Sequence, residues 1–460
     1  MTVSLNRLAW LLATSALCAP GAAQAQSAED VAALRAEIQR LKDQVSTLET
    51  RLDALSAPVA PIVAVPPAPL PPAKPEGETK IVWKGAPELS HPDGWSFKPR
   101  GRIQADIGFT GRPKGSTDHG LGFASEMRRA RFGAEGTMPG GFGFRIETEF
   151  SDNETEINDA YLIWTKGPLT ITAGQHNAFW GLEELTSDSQ TSFMERAAFT
   201  DAFDFERRVG LSATYLSKSV SLTGSVMTDN ITDLANAQDG VTGGDENNSY
   251  TLGGRGVWFP VIGKTQLHFG GSAYWRDRGD LARGTVRYRQ RPFLHTTNTR
   301  FLSTAALGVE TETGYGAEFA AIRGPLHVAA EVNGLRAGLV TGGAARFLGG
   351  YGEIGYYLTG ETRGYKGGFF NRTKVKRPLG KGGPGAFQIV LRYDYLDLTD
   401  GAVIGGTQNG YLAALVWAPI DLMRVSLNGG WLDYRDALLP DGTRDNFGVS
   451  TLGMRAEIDF

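Results

Sequence analysis

From residue 101 onward the chain alternates polar and apolar side chains, and beyond the leader no apolar run reaches the roughly 18 residues that a membrane-crossing helix needs. Arg102, Gln104 and Asp106 stand against Ile103, Ala105, Ile107 and Phe109. Arg145, Glu147 and Glu149 stand against Phe144, Ile146 and Phe150. The spacing continues in Val209, Leu211, Ala213 and Tyr215, in Val220, Leu222 and Val226, and in Leu267, Phe269, Ala273 and Trp275. It returns in Phe387, Ile389, Leu391 and Tyr393 and in Val425, Leu427 and Trp431. A period of two sends successive side chains to opposite faces of a strand, so each segment has one charged or polar face and one apolar face. Apolar faces turn inward in a soluble sandwich and outward in a membrane barrel, with the same period in both.

Three other features select the barrel. Arg7, the apolar stretch 8–19 and Ala23-Gln24-Ala25 make residues 1–25 a signal peptide, so the chain is exported. Aromatic residues sit at the ends of apolar strands, at Tyr161, Trp164, Tyr215, Trp258, Trp275, Trp417 and Trp431. The chain finishes with Met454, Ala456, Ile458 and Phe460 alternating with Arg455, Glu457 and Asp459. A last strand ending in Phe resembles the assembly signal of bacterial outer-membrane barrels. That implies the barrel-assembly machinery as a partner, and outer-membrane lipid and lipopolysaccharide as surroundings. Residues 97–460, at roughly 22 residues per strand and connection, give about 16 strands around an aqueous lumen, unless a loop plugs it. The expected fold is all-β: an antiparallel transmembrane β-barrel of about 16 strands over residues 95–460, preceded by a short N-terminal coiled-coil helix.

That helix falls in residues 26–56. Val31, Leu34, Ile38, Leu41, Val45, Leu48, Leu52 and Leu55 alternate spacings of three and four, the seam of a coiled coil whose oligomer number stays open. Residues 57–94 read as a linker that begins proline-rich, with Pro66-Pro67 and Pro71-Pro72, and extends as polyproline II. The coil could also tether the barrel to the cell wall.

Composition narrows the chemistry. The one cysteine, Cys18, lies in the leader, which excludes disulfides, thiolate zinc sites and a cysteine nucleophile from the mature chain. The 46 basic and 50 acidic side chains give a net charge of −4, so any preference for anions is local. His91, His119, His176, His268, His295 and His327 lie in neither a Gly-x-Ser-x-Gly nor a His-Glu-x-x-His setting, which argues against an enzyme. The acidic stretch 239–245 lacks calcium-loop spacing and reads as a surface loop. No metal, cofactor or nucleic acid is implied.

Several runs carry a family resemblance. They are Gly101-Arg102-Ile103-Gln104-Ala105-Asp106, Arg128-Arg129-Ala130-Arg131, Asp159-Ala160-Tyr161, and Gly181-Leu182-Glu183-Glu184-Leu185-Thr186-Ser187 followed by Phe193-Met194-Glu195-Arg196. With Tyr357-Leu358-Thr359-Gly360-Glu361-Thr362-Arg363-Gly364-Tyr365 and Gly385-Ala386-Phe387, they resemble the phosphate-selective O/P porins of Gram-negative bacteria, in order, over residues 95–460. The resemblance implies a homotrimer whose third loop, about residues 175–205, folds into the lumen. It also implies an anion site of Arg102, Arg129, Asp159 and Arg196 with Ser187 of that loop, for inorganic phosphate or other small anions. Arginine suits this task because its planar, permanently charged fork matches an oxyanion bidentately. Arg287, Arg289 and Arg291 alternate before Pro292, either as a basic stair that funnels anions or as a solvated loop rim. The loop departs from the expected pattern at Glu184 and Asp188, because acids beside a constriction repel anions. Beside phosphate conduction stands the alternative of a general, weakly selective anion or small-solute pore.

Overall fold

The structure is a computed structural model that describes residues 39–47, 50 and 78–460, apart from 115, 117, 152–153, 178, 204–206, 232–248 and 280–284. The expected signal peptide, most of the heptad segment, the proline-rich stretch and the acidic stretch 239–245 read as a loop lie outside the described residues. Residues 39–47 are helical, in keeping with the heptad spacing.

Gly77–Phe460 forms a unit of its own. Its first eight wall strands are β1 (Ser96–Thr110), β2 (Gly122–Met138), β3 (Phe142–Glu149), β4 (Glu156–Lys166), β5 (Leu169–Asn177), β6 (Arg207–Leu216), β7 (Val220–Met227) and β8 (Tyr250–Trp258). The second eight are β9 (Thr265–Asp277), β10 (Val309–Arg323), β11 (Leu326–Leu339), β12 (Ala344–Tyr357), β13 (Ala386–Asp397), β14 (Thr407–Ile420), β15 (Met423–Leu438) and β16 (Arg444–Asp459). Each strand pairs antiparallel with the next, and β16 returns to β1 with Arg455 opposite Asp106 and Ile458 opposite Ile103. Closure pairs every edge, the condition for strands to cross a bilayer. Most connections at one end are tight: Gly324, at φ +57°, supplies the left-handed residue of the turn between β10 and β11. Longer loops lie at the other end.

The predicted parity holds. Ile103, Ile107, Phe109, Ile146, Leu211, Leu222, Ile389, Leu391, Leu427 and Met454 are exposed on the outer surface, while Arg102, Gln104 and Asp106 are buried inside. One irregularity matters for the site. Gln104 pairs with Arg129 but Ala105 pairs with Met127, so Arg128 is the extra residue of a β-bulge. Two consecutive arginines thereby reach acids of one loop, Arg128 at Glu195 and Arg129 at Asp188, where strict alternation would send one outward.

Three expectations need correction. A charged inner face does not run around the whole barrel. On β10–β16, Ile322, Leu335, Phe347, Val390, Leu396, Leu412, Leu432 and Val449 point inward and join one apolar cluster with Phe179, Trp180, Leu182, Phe193 and Phe199 of the loop between β5 and β6. That half of the interior is a packed core, because the loop carries too many large apolar groups to remain in water. Tyr161 is not a girdle residue, since it shares its parity with the buried Asp159 and lines an interior cavity. Within the segment read as linker, Lys80–Trp83 and Pro87–Ser90 form a hairpin that pairs with the start of β1.

Candidate functional site

The third loop, described over residues 179–203, crosses the lumen from β5 to the far wall. There the backbone N–H groups of Leu182 and Glu183 donate to the Glu331 carboxylate at 2.8 and 2.7 Å. Gly181 sits where a Cβ would come within 2.5 Å of that carboxylate, and its φ of +46° suits glycine. Further along, Ser192 donates to Glu353 at 2.6 Å, the Met194 N–H to Asn428 at 3.0 Å, and the Ala198 N–H to Asp394. Arg392 joins Glu183 of the loop to Glu353 of the wall, and its guanidinium lies 4.6 Å from the Phe193 ring and 4.3 Å from that of Tyr351. Carboxyl acceptors on β11, β12 and β13, with Asn428 on β15, thus fix a segment whose own regular structure is three short helical turns, Leu182–Leu185, Asp188–Gln190 and Ala198–Ala202.

The other face of the loop looks toward β1–β6, across a field of arginines. Arg102 pairs with Asp188 and donates to the Ser187 hydroxyl at 2.9 Å. Arg129 Nε lies 2.7 Å from the second Asp188 oxygen, and its Nη1 donates to Gln104 at 3.0 Å. Arg196 sits 3.3 Å from Glu184 and also donates to the carbonyls of Glu183, Glu184 and Thr186. Asp159 is shared by Arg145 at 3.1 Å and Arg207 at 2.6 Å. Arg131 holds Glu149 at 2.7 Å and Glu147 at 3.4 Å.

Three cavities follow one another along this wall. One of about 360 Å³ at the loop end is lined by Arg128, Glu195, Asp201, Arg291 and His295, among others. It shares Arg129, Asp188, Arg196 and Arg207 with a middle cavity of about 490 Å³. The middle cavity in turn shares Arg102 and Glu147 with one of about 640 Å³ at the turn end. Arg102, Arg129, Asp159, Ser187 and Arg196, the residues chosen from the sequence, all line the middle cavity.

Sequence reasoning did not place Arg131, Arg145 or Arg207 in the site. The parity of Arg145 with Glu147 and Asp159 was the available signal. It also gave no role to residues 358–385, whose short hairpin Gly364–Lys366 and Phe369–Asn371 enters the lumen from the turn end. Tyr365 of that strap meets His268 at 2.6 Å, and Arg372 pairs with Asp459 at 2.6 Å. Lys374, Lys376 and Lys381 join Lys84, Lys98, Arg100 and Arg372 around the turn-end cavity. Of the three arginines before Pro292, Arg291 lines the loop-end cavity, whereas Arg287 and Arg289 are exposed and line none of the three. They lie on the fifth loop, described over residues 285–308, where buried Tyr288, Phe293, Leu294 and Phe301 join the interior core.

Two acids of the loop, Glu184 and Glu195, differ in electrostatics. Burial pushes the Glu195 carboxyl upward, but Arg128 and Arg455 outweigh it and hold the group well below the usual carboxylate range. Burial raises Glu184, and Arg196 and Arg207 only partly oppose it. On acidification Glu184 therefore protonates before Glu195 and removes one negative charge from the lumen. Anion selectivity, read as reversal potential under a KCl gradient, is expected to rise as the pH is lowered, and Glu184→Gln should flatten the rise. A pH dependence that persists in that variant would place the titrating group elsewhere.

A closed sixteen-strand barrel with an inward loop and a row of polar cavities along one wall defines a membrane-spanning porin. The chain belongs to the family described as phosphate-selective porin O and P, whose pattern matches residues 97–460. An uncharacterized protein of Caulobacter vibrioides is 48% identical over 476 residues, covering 99% of this chain and 96% of its own length. Porin O of Pseudomonas aeruginosa is 26% identical over 366 residues, covering 71% of this chain and 78% of its own. Among solved structures, an anion-selective porin from Comamonas acidovorans superimposes with a TM-score of 0.51 at 11% identity, over 80% of this chain and 100% of that one.

Proposed function

We propose that the protein is an outer-membrane channel that conducts small anions passively, phosphate foremost, along the arginine-lined wall. The observation that carries this reading is the middle cavity, where Arg102, Arg129, Arg131, Arg145, Arg196 and Arg207 face the carboxylates of Glu147, Asp159 and Asp188. A surplus of cationic forks in a space of this size offers an oxyanion replacement for the water it sheds. The pairing of Glu184, Asp188 and Glu195 with arginines answers the objection that acids would repel anions here. The basic turn-end cavity extends the favourable field on the exit side.

A homotrimer goes with this reading. Tyr215, Tyr250, Trp258, Tyr315, Tyr393, Tyr411 and Trp431, exposed on β6–β15, suit the lipid–water boundary. Phe109, Phe123, Met127, Phe132, Phe142 and Met454, exposed on β16 and β1–β3, are purely apolar, which suits a second copy of the chain. The test is planar-bilayer recording on the refolded mature protein, purified as a detergent-resistant trimer. The expected result is a strongly anionic reversal potential in KCl and chloride current blocked by added phosphate. A neutral or cationic reversal potential without block would refute the proposal.

A further inference from the structure

Asp188 stands where a permeating oxyanion has to bind. Its two carboxylate oxygens divide between Arg102 of β1 and Arg129 of β2, and Ser187 and Ser189 beside it face the remaining Arg102 N–H groups at 2.9 and 3.4 Å. Both arginines are also held by neighbours that do not depend on the loop. Arg129 donates to Gln104, which itself donates to Glu457, and Arg102 lies 4.0 Å from Asp459. The forks are therefore positioned by the wall, and the carboxylate is delivered to them from the first residue of a short 3-10 turn of the loop, Asp188–Gln190.

Building on the proposed function, we infer that Asp188 is a tethered anion that occupies the arginine pair between passages and is displaced by the permeating solute. A solute takes its place by offering more acceptor oxygens and more charge than one carboxylate. The class selected is thus a compact oxyanion bearing two negative charges, and a halide leaves the Asp188 pair intact. The displaced carboxylate stays within reach and re-forms the pair as the solute departs, which keeps release rapid in a site this cationic. Glu184 has a different position, because its partner Arg196 is held by three loop carbonyls and belongs to the loop itself.

The test uses sulfate, which stays a dianion throughout, as blocker of chloride current at pH 8. Asp188→Asn removes the competing charge and should lower the half-blocking sulfate concentration by about tenfold, in line with the loss of one charge-assisted pair. Chloride conductance should rise at the same time. Glu184→Gln removes the same charge from the same loop without vacating the arginine pair, and should shift the half-block by less than about threefold. Asp188→Ser, which leaves a hydroxyl like that of its neighbours, provides the reading if the asparagine variant does not assemble. Unchanged block in the Asp188 variants, or an equal shift in Glu184→Gln, would overturn the displacement role while leaving an anion-selective wild type in place. Loss of anion selectivity in the wild type would instead overturn the proposed function.

Discussion

Replacing Arg129 by alanine should weaken phosphate block of the chloride current by at least about tenfold and move the reversal potential toward cations. Arg129 lines both the middle and the loop-end cavity, so each passing anion meets it whichever end it enters. A hydrogen bond to a charged group is worth about 1.5–3 kcal/mol, and each ~1.4 kcal/mol is a factor of ten in binding. The substitution also leaves Asp188 to Arg102 alone, so the neck loses a positive charge and keeps its negative one. Arg112 supplies the comparison: it braces the loop between β1 and β2 by donating to the carbonyls of Asp118 and Leu121. Arg112→Ala should leave phosphate block within about twofold of wild type. Equal effects of the two substitutions would remove Arg129 from the site.

The second large effect is expected at Arg392, which never meets the solute. It is fully enclosed between Glu183 and Glu353 and flanked by Phe193 and Tyr351. Removing one partner of a buried ion pair typically costs about 3–5 kcal/mol, because the remaining charge stays desolvated and unmatched. Arg392→Ala leaves two such carboxylates, one on the loop and one on the wall, and their repulsion frees the loop from the wall. Single-channel conductance should become larger and noisier, and the temperature at which the folded band disappears on a gel should drop. Arg392→Lys keeps the charge without the planar fork or the stacking, so it should lie between the two. Wild-type conductance in the alanine variant would show that the apolar cluster alone fixes the loop.

Much of the fold was legible in the residues. The period of two, the outward Ile103, Ile107 and Phe109 and the closing strand to Phe460 follow from strand geometry, and a bilayer allows only a closed sheet. The five residues named through the family resemblance line one cavity, and lumen parity supported Arg102 independently. The parity that placed Arg102 was equally available for Tyr161, yet an aromatic at a strand end reads the same on either face. Arg128 was hidden because a bulge breaks the alternation on which such reading depends.

What the sequence determined by itself is local and periodic: which segments are strands, which face of each is apolar, and how the sheet closes. What only the tertiary structure decided is how the interior is divided. Phe193 and Arg392 are 199 residues apart in the chain, and Glu331 lies 149 from the Leu182 N–H it accepts. No repeat or spacing encodes such meetings. They arise because the third loop buries its aromatic side chains against Tyr274 of β9, Phe293 of the fifth loop and the inner faces of β10–β16, and that packing leaves the arginines of β1–β6 as the wall of the remaining space.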